Sequence, residues 1–222
     1  MERSAAAKCI ENHREMRGPT YIGDTYAYGW ESGNGLDNTG VSVQRYDINI
    51  AAGNPICNGN FTGNLVAQNQ FVNFDPYNWI VMGTLHKSSS CKYWFSAYMA
   101  NGFFTFITSN GPHGYAQHTF QIIRSGTGNS WQFYVDITKI WDWPIFLQYA
   151  GHSVQAGLES FSGGIVIGQT GFYSLKFNHA GPWYDWSGQD GILLQEPTTT
   201  EDELCGGWNS PTHFHAAENA TC

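Results

Sequence analysis

Charge is what this chain has least of. Asp, Glu, Lys and Arg make up 13% of its 222 residues, about half the ~25% of an average globular protein. Little charge beside 16% aromatic residues excludes intrinsic disorder, which requires the opposite balance. Cations are scarcest of all. Net charge is −8, and four of the ten bases (Arg3, Lys8, Arg14, Arg17) fall in the first 17 positions, so from Gly18 onward 15 acids face 6 bases. Such a surface repels phosphates and anionic lipids, so no nucleic-acid partner is expected.

Long apolar runs are missing too. No stretch approaches the ~18–20 apolar residues of a membrane span, and none is expected. The opening MERSAAAKCIENHREM lacks the apolar centre of a secretory leader. It reads instead as a short helical arm, because Ala5, Ala6, Ala7 and Lys8 are good helix formers. A pro-segment, a docking arm or an appended segment would all look this way, and an exported chain would have had its leader removed or replaced. The five cysteines (Cys9, Cys57, Cys91, Cys205, Cys222) form no C-x-x-C pair, which excludes zinc-ribbon and thioredoxin-like motifs.

Those cysteines, the low Lys content and two sequons at Asn60 and Asn219 point to an oxidising, extracellular compartment. The expected disulfides are Cys57–Cys91 and Cys205–Cys222, leaving Cys9 free or intermolecular, and both sequons are candidate glycosylation sites.

What the chain has in quantity is glycine (26 residues) and aromatics. After Gly18 the pattern becomes short runs of β-branched and aromatic residues separated by Gly, Asn, Ser and Pro, which reads as strands joined by tight turns. Strands are expected at 21–30, 41–50, 65–74, 79–85, 92–100, 103–108, 117–124, 131–137, 153–160, 165–169, 173–178 and 191–195. Asn101-Gly102 has the chemistry of a two-residue hairpin turn. About a dozen strands without intervening helices must bury one face against another sheet. The expected fold is therefore all-β, an antiparallel two-sheet sandwich of the jelly-roll or concanavalin A-like kind with a short N-terminal helical arm. Residues 1–18 form the arm, 19–196 the sandwich and 197–222 an irregular tail that wraps the surface.

The most informative polar residues lie at 153–160. Val154, Ala156 and Leu158 share one face, while Gln155, Gly157 and Glu159 share the other. A carboxylate in mid-strand is not expected in a dry core, so Glu159 is expected to line a groove on an exposed sheet, as a general acid or a ligand contact. Gln155 and Tyr98 are expected beside it. Trp141, Trp143, Trp183 and Trp186 sit in turn-rich stretches and are candidate stacking platforms for a sugar or a proline ring. His213 and His215 would share a strand face, half of a metal site, but spacing supplies no third ligand. Neither a metal nor a cofactor is expected, and no G-x-S-x-G elbow exists.

Three stretches resemble the neprosin and glutamic-peptidase group of secreted β-sandwiches. They are Asn78-Trp-Ile-Val-Met-Gly-Thr84, then His118-Thr-Phe-Gln-Ile-Ile-Arg124 leading to Ser130-Trp-Gln-Phe-Tyr-Val-Asp136, and Val154-Gln-Ala-Gly-Leu-Glu-Ser160. The resemblance implies a pair of catalytic glutamates. Glu159 matches the second, but the first falls on Val81, which has no acid–base chemistry. This implies a non-catalytic relative that binds an extracellular glycan, polymer or Pro-rich peptide. Two alternatives remain. One is an acid-active endopeptidase in which Glu159 pairs with Glu31 or Asp75. The other is a self-assembling subunit joined to copies of itself through the N-terminal arm or Cys9.

Overall fold

The computed structural model describes residues 25–31, 38–46, 48, 66–75, 77–88, 91–101, 103–110, 116–126, 130–144, 151–160, 167–187, 191–195 and 204–218. These form fifteen strands. In chain order they are β1 (Thr25–Glu31), β2 (Asn38–Tyr46), β3 (Val66–Asp75), β4 (Asn78–Ser88), β5 (Cys91–Ala100), β6 (Phe103–Asn110), β7 (Gln117–Arg124), β8 (Trp131–Val135), β9 (Thr138–Trp143), β10 (Ser153–Ser160), β11 (Ile167–His179), β12 (Trp183–Asp185), β13 (Ile192–Gln195), β14 (Leu204–Ser210) and β15 (His213–Glu218).

Two antiparallel sheets stack as a β-sandwich. A seven-stranded sheet runs β13-β1-β10-β3-β4-β5-β6, and an eight-stranded sheet runs β14-β15-β11-β2-β7-β8-β9 with β12 beside β11. The expected fold class is the observed one. The period-two pattern explains why: Ala27, Ile80, Met82, Val154, Ala156 and Leu158 from the first sheet meet Val41, Val43, Phe120, Ile122, Phe172 and Leu175 from the second, all buried. Alternating side chains leave each strand on opposite faces, so one face of every strand supplies this layer.

A fully buried cation crosses the layer. The Arg45 Nη1 donates to Thr84 Oγ1 at 2.8 Å, and the guanidinium carbon lies 3.6 Å from the centre of the Phe120 ring. Stacking of this kind is worth ~2 kcal/mol when desolvated. Nearby, Gln68 Nε2 donates to Thr170 Oγ1 and to the Tyr46 carbonyl, both at 2.9 Å.

Several boundaries depart from expectation. The runs at 165–169 and 173–178 belong to one strand, β11, because Thr170 and Gly171 keep pairing with β15. The run at 131–137 ends at Val135. Asp136, with φ 55°, starts the turn, and β9 follows where no strand was expected. The irregular tail is instead a hairpin, β14–β15, in the eight-stranded sheet, since Leu204, Phe214 and Ala216 alternate into the core. Asn101, with φ 51°, makes the turn between β5 and β6. Cys205 is disulfide-bonded. The N-terminal arm, Cys9, Cys57, Cys222, Asn60, Asn219 and the side chain of Cys91 lie outside the described residues.

Candidate functional site

Glu159 lies on the face of β10 that points away from the eight-stranded sheet. Its neighbours follow from register. Gly157 of β10 stands opposite Tyr28 of β1 on one side and Asn69 of β3 on the other. Asn69 in turn stands opposite Gly83 of β4, and Gly83 opposite Phe95 of β5. One row across the sheet therefore reads Tyr28, Gly157, Asn69, Gly83, Phe95. Gln155 and Glu159 flank Gly157 along β10 on the same face.

The two glycines create the room. A Cβ at Gly157 would meet the Ala27 carbonyl oxygen and the Tyr28 ring, and one at Gly83 would meet Asn69 Oδ1, the Gln68 carbonyl oxygen and the Phe95 ring. Without those side chains the Tyr28 ring and the Asn69 amide pack closely over their neighbouring strands. Phe71 holds the Tyr28 ring edge-on at 5.4 Å and is itself held by Trp79 at 5.9 Å. The glycines and aromatics together fix where the phenol ends.

The phenol ends on the carboxyl group. Tyr28 Oη donates to Glu159 Oε1 at 2.5 Å and accepts from Asn69 Nδ2 at 3.0 Å. This places the O–H···O contact at the short end of the hydrogen-bond range. Tyr28, Asn69 and Glu159 are fully buried and Gln155 is 2% exposed. Asn69 Oδ1 and Gln155 Oε1 are buried and accept no hydrogen bond from the described residues. A carboxyl group, a phenol and two carboxamides thus gather around a backbone position with no side chain. Such a set can exchange a proton through the carboxyl and polarise a carbonyl through amide N–H groups.

Exposure is the main correction to the expected groove. Glu159 and Gln155 share a face as expected, but neither is solvent-lined in this state. Tyr98 does not join them, because β5 turns Phe95 and Ala97 to that face and Tyr98 to the other. There its ring meets Trp143 at 4.9 Å, between the sheets. Both faces of β5 carry large apolar residues, so composition did not say which way Tyr98 points.

The proposed carboxylate partners are elsewhere as well. Glu31 faces the inter-sheet side of β1, and its Oε2 accepts from the Ser187 N–H and hydroxyl, both at 2.7 Å. Asp75 is exposed at the β3–β4 turn, where it accepts from the Tyr77 N–H and Asn78 Nδ2, each at 2.7 Å. Val81 shares the outer face but is fully buried among Phe71, Phe95 and Ala97.

Of the four candidate tryptophans one is buried and three are partly buried. Trp141 and Trp143 lie on β9 against the main core, Trp186 is 1% exposed beside Trp208, and Trp183 is half-buried on β12. The turn-rich sequence concealed β9 and β12, which carry Trp141, Trp143 and Trp183. His213 and His215 do sit on one strand, but among the described residues no three potential ligands gather to hold a metal ion. Burial, and then the neighbouring His215, holds the His213 imidazole below its ordinary pKa.

No sequence pattern pointed to Tyr28 or Asn69. Tyr28 lies 131 residues from Glu159 and 41 residues from Asn69. Only the sheet order brings them together.

In sequence, the chain matches no protein-family model and no curated protein. In structure it is similar to scytalido-glutamic peptidase solved with a peptide-based transition-state analogue. The TM-score is 0.62 at 8% identity, over 87% of this chain and 97% of that one. It is also similar to SCP-B, a member of the eqolisin family of peptidases, solved with the tripeptide Ala-Ile-His. There the TM-score is 0.57 at 8% identity, over 87% and 96% of the two chains. The fold is thus that of the glutamic peptidases, and at this identity the likeness establishes the fold alone.

Proposed function

We propose that the protein is an extracellular, acid-active peptide hydrolase in which Glu159 is the catalytic carboxyl group. The observation that carries this is the Asn69–Tyr28–Glu159 chain on the outer face of the seven-stranded sheet, with the Gln155 carboxamide alongside. In the reaction Glu159 takes a proton from a water as its oxygen bonds to the scissile carbonyl carbon. An amide N–H from Gln155 or Asn69 stabilises the oxygen that gains charge, and Glu159 returns the proton to the leaving nitrogen as the C–N bond breaks. Tyr28 positions the carboxyl group throughout. The named peptide complexes of two proteins with this fold support a peptide as substrate. The disulfide at Cys205 and the paired sequons support an extracellular setting. Because Glu159 is fully buried in this state, the face opens before a substrate enters.

A second reading rests on Val81. If the chemistry requires a second acid at that position, the same polar cluster binds a peptide without cutting it. Incubation with casein and with a Pro-rich peptide at pH ~3–5 separates the two. New amino termini that accumulate with time support the hydrolase. Saturable peptide binding with no cleavage supports the binding module, and neither outcome leaves Glu159 as a structural carboxyl.

A further inference from the structure

Strand β6 is the last strand of the seven-stranded sheet among the described residues, so one row of its backbone N–H and C=O groups faces outward. Sheet edges of this kind are ordinarily blunted by charges, proline, bulges or covering segments. Here the sequence is Phe103-Phe-Thr-Phe-Ile-Thr-Ser-Asn110, without a charge or a proline. Its pairing with β5 runs through all eight residues without a bulge. Its apolar side chains are also open to solvent: Phe103 is 77%, Phe104 49% and Ile107 38% exposed. Among the described residues most large hydrophobic side chains are buried and no strand pairs with this edge, so the exposed apolar residues concentrated there call for a partner.

We infer that this edge pairs with the same edge of a second copy, β6 against β6 antiparallel about a two-fold axis at Thr105. The sequence of the edge singles out the partner. In an antiparallel pair centred on Thr105, Phe103 meets the partner's Ile107, Phe104 meets the partner's Phe106, and Thr105 meets the partner's Thr105. Every large apolar residue of the edge then has an apolar partner on its own face of the sheet. Centring the pair one residue later sets Phe103 against Ser109 and Phe104 against Thr108, which leaves both rings facing polar groups. A two-fold contact of this sort uses one patch on both copies and closes on itself. It joins two seven-stranded sheets into one continuous sheet and leaves the face that carries Glu159 free. The absence of charge on β6 also matters for a chain of net charge −8, because like charges at the seam would oppose association. A single strand pair lies at or below the low end of the ~1,200–2,000 Å² buried by stable interfaces, so the dimer forms in a concentration-dependent way.

Sedimentation equilibrium of the full chain from about 1 μM to about 1 mM reads this directly. The apparent mass is expected to rise from 24.7 kDa to twice that value and stop. Thr105→Lys and Thr105→Glu are each expected to remain monomeric across the range while keeping the wild-type circular dichroism. An equimolar mixture of the two is expected to recover the dimer, since Lys then faces Glu across the two-fold axis. A wild type that stays monomeric, a mass that climbs without limit, or single variants that still dimerise would each overturn the proposal. So would a failure of the mixed variants to restore association. A variant that loses its wild-type spectrum is replaced by Phe103→Lys, which is expected to be monomeric on the same grounds.

Discussion

Tyr28 and Glu159 are joined by a hydrogen bond of 2.5 Å between residues 131 positions apart, and both are fully buried. The bond links β1 to β10 across Gly157, the only residue on that face between the carboxyl group and Gln155. It connects the fold to the proposed chemistry, because the phenol that stabilises the sheet also aims the carboxyl group.

Removing only the hydroxyl isolates that role. Tyr28→Phe keeps the ring packed on Phe71 but takes one donor from Glu159 and the acceptor from Asn69 Nδ2. Taking a hydrogen-bond partner from a buried polar group costs about 1–3 kcal/mol. Urea denaturation is expected to show a midpoint lowered accordingly with an unchanged slope. An unchanged midpoint would mean the bond contributes nothing to stability.

The glycine trough makes a separate, steric prediction. Gly157→Ala puts a methyl group against the Ala27 carbonyl oxygen, and Gly83→Ala puts one against Asn69 and the Gln68 carbonyl oxygen. Backbone cannot yield as a side-chain end can, so each variant is expected to lose about 1–3 kcal/mol or more. Gly126→Ala, where a Cβ meets nothing within 4 Å, serves as the comparison. Its positive φ of 39° adds local strain without a packing clash. Thermal melts that rank Gly126→Ala as the most damaging of the three would refute the trough.

Stability should respond to acid at the β8–β9 turn. Burial raises the Asp136 pKa, but the Thr119 N–H and His118 outweigh it and hold the carboxyl below its ordinary value. His118 Nδ1 lies 2.8 Å from Asp136 Oδ2. A folded-state pKa below the unfolded one gives stability that is present above about pH 3.9 and is lost as pH falls through the folded value. Asp136→Asn is therefore expected to flatten that part of the stability-against-pH curve while changing its acid-limit value little. An acid limb as steep as in the wild type would contradict this.

His213 predicts a second step. Its folded pKa is also lowered, by burial first and by His215 second. The unfolded chain then binds the proton more readily, so stability falls as pH drops below about 6.5 and levels off beneath the folded value. Replacing His213 with Gln is expected to remove the slope there, as read from urea midpoints at closely spaced pH values. Persistence of the slope would assign it to another group.

The fold was legible in the sequence wherever a strand alternates cleanly. The run at 153–160 has the bounds of β10 because Val154, Ala156 and Leu158 mark one face without interruption. The β14–β15 hairpin escaped because Gly206, Gly207 and Pro211 resemble loop residues, although Leu204, Phe214 and Ala216 carry the core period. The face that Glu159 occupies was legible. Its burial was not, because alternation tells which way a side chain points and not what covers it. Tyr28 and Asn69 were not legible either. Each becomes a neighbour of Glu159 only through the strand order β1-β10-β3, which places distant segments side by side.

The reactivity of Glu159 is tested most directly by kcat/KM for peptide cleavage at pH ~3–5 in wild type and Glu159→Gln, an isosteric change that keeps the Tyr28 hydroxyl supplied with an acceptor. A measurable wild-type rate is expected, with a loss of roughly 10²–10⁴-fold in the variant and the fold intact. Equal rates in the two proteins would show that the cleavage does not run through this carboxyl group.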